Sequence, residues 1–257
     1  MSAMDEFNRA ARALRDAQYN LVKNLPFGGP RLVAEGDSWF QHPIEGDIID
    51  ALSSLPLFYK IRCLCSAGDE LARMLQQAEF VAAIRDEQPA AFVFSGGGND
   101  VVGQTISTVI KESSGATKAS QCIDKAALDA EMARIEGMYR QVYRLVQGAK
   151  AGLPMIVHGY AHPKPGKKYF GIIDWGLGDA LTAKNVPDKL QDDVAALLID
   201  AFNKMLKGLP RTLPEIRHVD LRQVVSKNDF RDEMHLKSLA AVRAAKAFHA
   251  VLEKAIP

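Results

Sequence analysis

The stretch from Arg31 to Phe40 constrains the fold most strongly, because a short apolar run ends there in a tight turn. The run Arg31-Leu-Val-Ala-Glu predicts a buried strand, and Gly36-Asp37 predicts the turn that closes it. Ser38 then stands at the carboxyl end of the strand, at the edge of an open α/β sheet where ligand crevices form. This position makes Ser38 a candidate nucleophile, although Gly, Asp and Ser are also ordinary turn residues.

Further apolar runs alternate with helical patterns along the chain. Strands are predicted at 31–35, 59–65, 90–94, 153–158 and 216–220. Helices are predicted at 4–24, 46–55, 70–85, 128–146, 190–206 and 238–254. Such alternation favours a parallel sheet with helices on both faces and right-handed crossovers. We therefore predict a flavodoxin-like, three-layer α/β/α fold with five parallel strands in the order 2-1-3-4-5.

Two segments stand apart from this alternation. Residues 1–30 are predicted as an amphipathic helix and a Pro/Gly linker packed on a domain of residues 31–257, with Leu14 and Leu21 on the inward stripe. Residues 101–127 are expected to form an excursion above the site. Residues 159–188 are predicted to form a long loop. Its aromatic residues are expected to cover the core edge or to line a pocket; they are Tyr160, Tyr169, Phe170 and Trp175.

Composition excludes several classes of protein. The 257 residues are 47% hydrophobic and 25% charged, with a net charge of +1, so nothing points to a nucleic-acid partner or an anionic membrane. No apolar run approaches the roughly 20 residues that span a bilayer, and the first residues do not resemble a secretory signal. We expect a soluble, cytoplasmic protein of undetermined oligomeric state, whose three cysteines are reduced: Cys63, Cys65 and Cys122.

Three later blocks also follow predicted strands. They are Ser66-Ala67-Gly68-Asp69 after the second strand, Gly96-Gly97-Gly98-Asn99-Asp100 after the third, and Asp232-Glu233-Met234-His235 beyond the fifth. In a parallel sheet the carboxyl ends of the strands share one edge. Residues about two hundred positions apart are therefore expected to meet beside Ser38.

Together with Gly36-Asp37-Ser38, these blocks resemble in order the four sequence blocks of the GDSL or SGNH hydrolase family. The resemblance implies a serine hydrolase that cleaves small carboxylic esters through an acyl-enzyme, without metal or organic cofactor. It also implies that the oxyanion is bound by the backbone N–H groups of Ser38 and Gly68 and by the side-chain amide of Asn99. Two positions depart from the family pattern, with Trp39 in place of Leu and Ser66 where Asn is common.

Ser38 needs a general base, because a serine hydroxyl is a poor nucleophile at neutral pH. His235 follows Asp232 by three residues, a spacing that lets the carboxylate hold one ring nitrogen while the other faces the serine. Asp37 and Asp100 are expected to support the turns. The competing histidines lie outside such a block: His42, His158, His162, His218 and His249.

Two other functions stay open from the residues alone. His158 and His162, with Asp174 downstream, could serve a metal-dependent phosphoesterase, although their spacing matches no strong ligand motif. A binding module could also keep the pocket and lack turnover. The G-x-S-x-G motif is absent, which disfavours the α/β-hydrolase fold.

Overall fold

The computed structural model describes residues 3–54, 56–167 and 176–256. Its strands are β1 Arg31–Gly36, β2 Lys60–Cys63, β3 Ala91–Ser95, β4 Met155–Gly159 and β5 Ile216–Asp220. Its α-helices are α1 Ala3–Val22, α2 Ile48–Ser53, α3 Leu71–Gln77, α4 Glu79–Glu87, α5 Gly98–Val102, α6 Gln104–Val109, α7 Lys125–Ala149, α8 Leu177–Ala183, α9 Asp188–Gly208 and α10 Ser238–Ala255.

The five strands form one parallel sheet in the order β2-β1-β3-β4-β5, which confirms the predicted topology. Every residue of β3 and β4 is buried, because helices cover both faces of the sheet. Helices α2 and α10 pack together on one face, and α4, α7 and α9 pack on the other. The carboxyl ends of the strands consequently meet along a single edge.

Helix α1 lies along β2, which is an edge strand of the sheet. Its buried residues are Arg15 and Tyr19, whereas Leu14 and Leu21 are 60% and 79% exposed, so the predicted inward stripe was wrong at these two leucines. The helix packs through polar contacts instead. Arg15 Nη2 lies 2.6 Å from Asp47 Oδ2 at the start of α2, and the Tyr19 hydroxyl donates to Glu87 at the end of α4. An edge strand covered in this way is protected from pairing with another chain.

The single helix predicted at 70–85 is two helices. Ala78 adopts a left-handed conformation with φ of +46°, ends α3 through its N–H to Met74 O, and begins α4. Because of this break, α4 has a different orientation about its axis from the one that a continuous helix would give, and Phe80 and Ile84 face the core. A left-handed alanine costs about 1–2 kcal/mol. Burial of a phenylalanine offsets that cost.

Residues 98–127 contribute to the core, contrary to the predicted excursion. Helices α5 and α6 bury Val101, Ile106 and Val109, and an isolated antiparallel bridge joins Ile110 to Ile123. In the predicted loop 159–188 the structure places α8. The aromatic residues Tyr169, Phe170 and Trp175 lie outside the described residues.

The closing helix is predicted well in extent, and its apolar spacing predicted an inward face of Leu239, Val242, Ala245, Phe248 and Leu252. Phe248 and Leu252 of α10 are fully buried, but Leu239 is 77% exposed and Val242 is also exposed. Within the described ranges no helix is long and apolar enough to cross a bilayer. The three cysteine thiols are buried and unpaired.

Candidate active site

The turn after β1 is held by the neighbouring strands. Ser66 N donates to Gly36 O at 2.8 Å, and Asp37 N donates to Ser95 O at 3.0 Å, so the turn continues the pairing with both β2 and β3. Position 36 requires glycine because a Cβ there would lie 2.6 Å from Ser95 Cβ. The chain then makes one helical turn in which Gln41 N donates to Asp37 O, and this turn presents Ser38 at the sheet edge.

The block before α10 folds into a tight loop. Arg231 N donates to His235 O at 2.7 Å, and a bridge joins Phe230 to Leu236. Asp232 Oδ1 accepts the backbone N–H groups of Met234 and His235 at 2.9 and 2.8 Å. These bonds make the Asp-x-x-His spacing a local turn that fixes the carboxylate against the imidazole ring.

The three predicted catalytic side chains form one hydrogen-bonded chain. His235 Nε2 lies 2.9 Å from Ser38 Oγ, and His235 Nδ1 lies 2.9 Å from Asp232 Oδ2. All three residues are buried, with Ser38 the most accessible at 8%. Burial would raise the pKa of Asp232, but hydrogen bonds from His235 and from the backbone hold it below its ordinary value. Asp232 is therefore a carboxylate that can hold the Nδ1–H tautomer of His235.

Asn99 stands in the first turn of α5, and its Nδ2 donates to Asp69 O at 2.8 Å. This bond fastens the amide to the turn that carries Gly68, whose φ of +83° suits glycine. Asn99 and Ser38 line the same pocket. Asp100, also in α5, binds the helix that follows this turn, because its Oδ2 accepts the N–H of Leu71 at the start of α3 at 3.0 Å.

The pocket at Ser38 is small and mostly apolar, with a cavity of about 30 Å³. Its apolar lining comes from Trp39, Val102, Tyr160, Ala161, Pro163, Ile199, Phe230 and Met234. A bound water needs about 10–15 Å³ of such volume, so the cavity has room for a small group.

A buried polar network lies behind the nucleophile. Asp37 accepts hydrogen bonds from Ser95 Oγ at 2.8 Å, from the N–H of Trp39 at 3.0 Å and from the hydroxyl of Tyr160. Burial raises the pKa of Asp37 to about 6, although these hydrogen bonds act in the opposite direction. Ser95 Oγ also lies 2.7 Å from Nε2 of His158. Burial lowers the pKa of His158 to about 3. This network anchors the turn on both sides of Ser38.

Glu233 has a structural position that sequence reasoning missed. Its carboxylate is fully buried and accepts the backbone N–H groups of Gly166, Leu177 and Gly178 at 2.6, 3.0 and 2.7 Å. Glu233 therefore ties the loop after β4 to the block that carries His235. No short motif could have revealed this, because its partners lie 55 to 67 residues away.

The competing histidines have other surroundings. The His42 ring packs edge-on against His235, with 5.0 Å between ring centroids. Burial lowers the pKa of His42 to about 4, and the electrostatic effect of His235 acts in the same direction. His162 Nε2 lies 2.8 Å from Asp200 and does not meet His158 in a shared site. Asp174 lies outside the described residues, and among those described no cluster of three potential metal ligands occurs.

Comparison with known proteins finds similar solved structures but no match by sequence. No protein-family model matches the chain, and no curated protein matches its sequence. A lipase from a goat rumen metagenome superposes with a TM-score of 0.58 at 15% identity, over 86% of this chain and 97% of that one. Phospholipase A1 from Streptomyces albidoflavus NA297 gives 0.58 at 13%, over 87% and 99%.

A family 3 carbohydrate esterase from Clostridium thermocellum is also similar, with a TM-score of 0.52 at 10% identity over 89% of this chain and 99% of that one. These likenesses extend over nearly the whole length of the solved structures, and their low identities establish architecture alone. Together with the strand order and the helices on both sides of the sheet, they show that the chain has the SGNH hydrolase fold.

Proposed function

We propose that the protein is a serine hydrolase that cleaves carboxylic esters through an acyl-enzyme on Ser38. The observation that supports this most directly is the continuous hydrogen-bonded chain from Ser38 through His235 to Asp232, at the mouth of an apolar pocket. Such a chain supplies a nucleophile, a general base and the group that orients the base.

The reaction follows from these positions. His235 Nε2 takes the proton of Ser38 as Oγ attacks the ester carbonyl, and Asp232 stabilises the imidazolium that forms. The oxyanion is bound by the amide of Asn99 and by the backbone N–H groups of Ser38 and Gly68. His235 then protonates the leaving alcohol. A water molecule then attacks the acyl carbonyl while His235 Nε2 takes its proton, and the imidazolium gives that proton to Ser38 Oγ as the carboxylic acid leaves.

Esters with short acyl groups are the first candidates. The cavity of about 30 Å³ next to Ser38 has room for an acetyl methyl group. 4-Nitrophenyl acetate is therefore the substrate with which to begin.

Labelling with a fluorophosphonate tests the proposal. We expect one adduct per chain, found by peptide mass spectrometry on Ser38, together with hydrolysis of 4-nitrophenyl acetate. Both should disappear in Ser38→Ala and persist in Ser120→Ala, which removes an exposed hydroxyl remote from the site. An adduct on another serine, or unchanged turnover in Ser38→Ala, would refute the assignment.

A further inference from the structure

Trp39 joins the turn that carries Ser38 to the loop that carries His235. Its indole Nε1 donates to the carbonyl oxygen of Met234 at 3.1 Å, a bond between residues 195 positions apart. Trp39 follows Ser38 directly, and Met234 precedes His235 directly. The bond therefore links the immediate neighbours of the proposed nucleophile and the proposed general base.

The backbone of Trp39 is itself fixed. Its N–H donates to Asp37 Oδ1 at 3.0 Å, and its carbonyl accepts the N–H of Ile48, the first residue of α2, at 3.4 Å. Asp37 also accepts hydrogen bonds from Ser95 and Tyr160 in the buried network behind the nucleophile. A hydrogen bond from the Trp39 side chain can thus position its partner relative to the turn.

The indole ring packs among other aromatic rings. Trp39 is 7% exposed, and its ring stacks on His158 with 5.4 Å between centroids. It meets Tyr160 and Phe230 edge-on at 5.1 and 6.3 Å. Because close packing leaves such a ring little freedom, the direction of its Nε1–H is set before any substrate binds.

The bond to Met234 completes the fixation of one peptide unit. The carbonyl of Met234 and the N–H of His235 belong to the same planar group. The N–H donates to Asp232 Oδ1 at 2.8 Å, and the carbonyl accepts from Trp39. With both polar groups held, rotation of this unit is opposed, and the Cα of His235 at its end keeps its orientation. The imidazole extends from that Cα to Nε2, which lies 2.9 Å from Ser38 Oγ.

We propose that the indole N–H of Trp39 positions the general base, because it holds the peptide unit that carries His235 and so keeps Nε2 within hydrogen-bond distance of Ser38. This inference rests on the proposed function and adds to it a positioning residue that acts through His235. A displacement of about 1 Å at a reacting group can cost on the order of 10²-fold in rate. Loss of the bond from Trp39 should therefore lower kcat measurably.

Removing the N–H alone tests the proposal. Replacement of Trp39 by 3-(3-benzothienyl)alanine, which has a sulfur atom in place of the ring N–H, keeps nearly the same ring shape and loses the donor. We expect kcat for 4-nitrophenyl acetate to fall about tenfold, because His235 spends less time in the productive position. KM should change less than about twofold, because the pocket keeps its lining. Trp39→Phe, which also lacks the donor, should lose at least as much.

A core substitution separates positioning from stability. Phe80 is fully buried in α4, and its ring stacks on Phe92 near the amino end of β3, at the opposite end of the strand from the site. Phe80→Leu should lower the urea midpoint at least as far as the replacement of Trp39 and leave kcat within about twofold of wild type.

Three kinetic outcomes would overturn the inference. The first is a kcat within twofold of wild type after the replacement of Trp39. The second is an equal loss of kcat in Phe80→Leu, which would make the effect one of stability. The third is a rise in KM with kcat unchanged, which would make Trp39 a substrate contact that does not position His235.

A readout that needs no turnover separates this inference from the esterase proposal. The Nδ1–H proton of His235, identified in nuclear magnetic resonance spectra by its absence in His235→Gln, should exchange with solvent at least about tenfold faster after the replacement of Trp39. The reason is that the peptide unit is then held at Asp232 alone. An unchanged rate would overturn the inference even in an active esterase. If the wild-type protein cleaves no ester, the esterase proposal fails, and the exchange rates still decide whether Trp39 positions His235.

Discussion

Asp232 combines two tasks in one side chain. Its Oδ1 accepts the backbone N–H groups of Met234 and His235, and its Oδ2 lies 2.9 Å from His235 Nδ1. The backbone bonds fix which oxygen faces the ring. The side chain is therefore oriented by its own turn before any substrate binds.

Asp232→Asn should lower kcat for ester hydrolysis on the order of 10⁴-fold, the loss typical of this substitution in a Ser-His-Asp triad. The asparagine keeps its carbonyl oxygen on the backbone N–H groups and turns its NH₂ toward His235 Nδ1. That ring nitrogen must then accept, so the proton moves to Nε2, which can no longer take the proton of Ser38. Stopped assays with 4-nitrophenyl acetate measure the loss.

Asp232→Glu serves as the comparison for this variant, because it keeps a carboxylate but displaces it. We expect intermediate activity from it. If Asp232→Asn retains more than a tenth of the wild-type kcat, another group orients His235.

Residues differ in how well the sequence predicts their placement. Ser38 and Asn99 stand in short blocks directly after strands, and His235 stands in a block beyond the fifth strand. A local pattern together with strand order therefore predicted their meeting at the sheet edge. Glu233 stands in the same block as His235, yet its partners come from a distant loop. Its contribution depends on tertiary packing that no spacing rule contains.

At the scale of elements, helix α1 does more than cover β2. Asn8 Oδ1 accepts the N–H of Ala67 at 2.9 Å, and Asn8 Nδ2 donates to the carbonyl of Ala67 at 3.0 Å. This pair of bonds holds the residue next to Gly68, in the turn to which Asn99 is also fastened. The departure at Ser66 from the family pattern lies in that same turn.

Asn8→Ala should loosen this turn and lower the free energy of unfolding by about 1–3 kcal/mol, because both polar groups of buried Ala67 lose their partner. We also expect kcat to fall several-fold with little change in KM, since Gly68 is proposed to act on the transition state. Urea denaturation and steady-state kinetics measure the two effects.

Asn20→Ala is the matched control, because Asn20 is exposed on the same helix. It should change neither the free energy of unfolding nor kcat. An effect of Asn8→Ala on stability with kcat unchanged would show that α1 supports the fold and not the site.

The helices also show where periodicity fails. The pattern over 70–85 predicted one helix, because a left-handed alanine at position 78 has no signature in the sequence. In α1 the buried face carries Arg15 and Tyr19, whose carboxylate partners lie on other elements. Apolar spacing identifies a buried face only when the contact itself is apolar.

At the scale of the whole molecule, the strand order was predictable for a physical reason. Runs such as Ala91–Ser95 are apolar on both faces, which a strand requires when helices cover both sides of the sheet. Right-handed crossovers then leave few arrangements. The same topology gathers the candidate site at one edge, whatever the details of the loops.

The hydrogen bond between Ser38 and His235 joins residues 197 positions apart. Contacts so distant in sequence form late, because a long loop must close before they stabilise anything. After dilution from urea, ester hydrolysis should therefore return with the slowest folding phase, later than helical circular dichroism. Activity that recovers together with the first helical signal would contradict this order.

The same separation gives the nascent chain a built-in delay. At about 5–20 residues per second, roughly 10–40 s pass between synthesis of Ser38 and synthesis of His235. On the proposed mechanism, Ser38 has no general base during that interval and is an ordinary hydroxyl. A growing chain would then not be acylated by an ester, and its proposed nucleophile would become reactive only after all five strands have been synthesised.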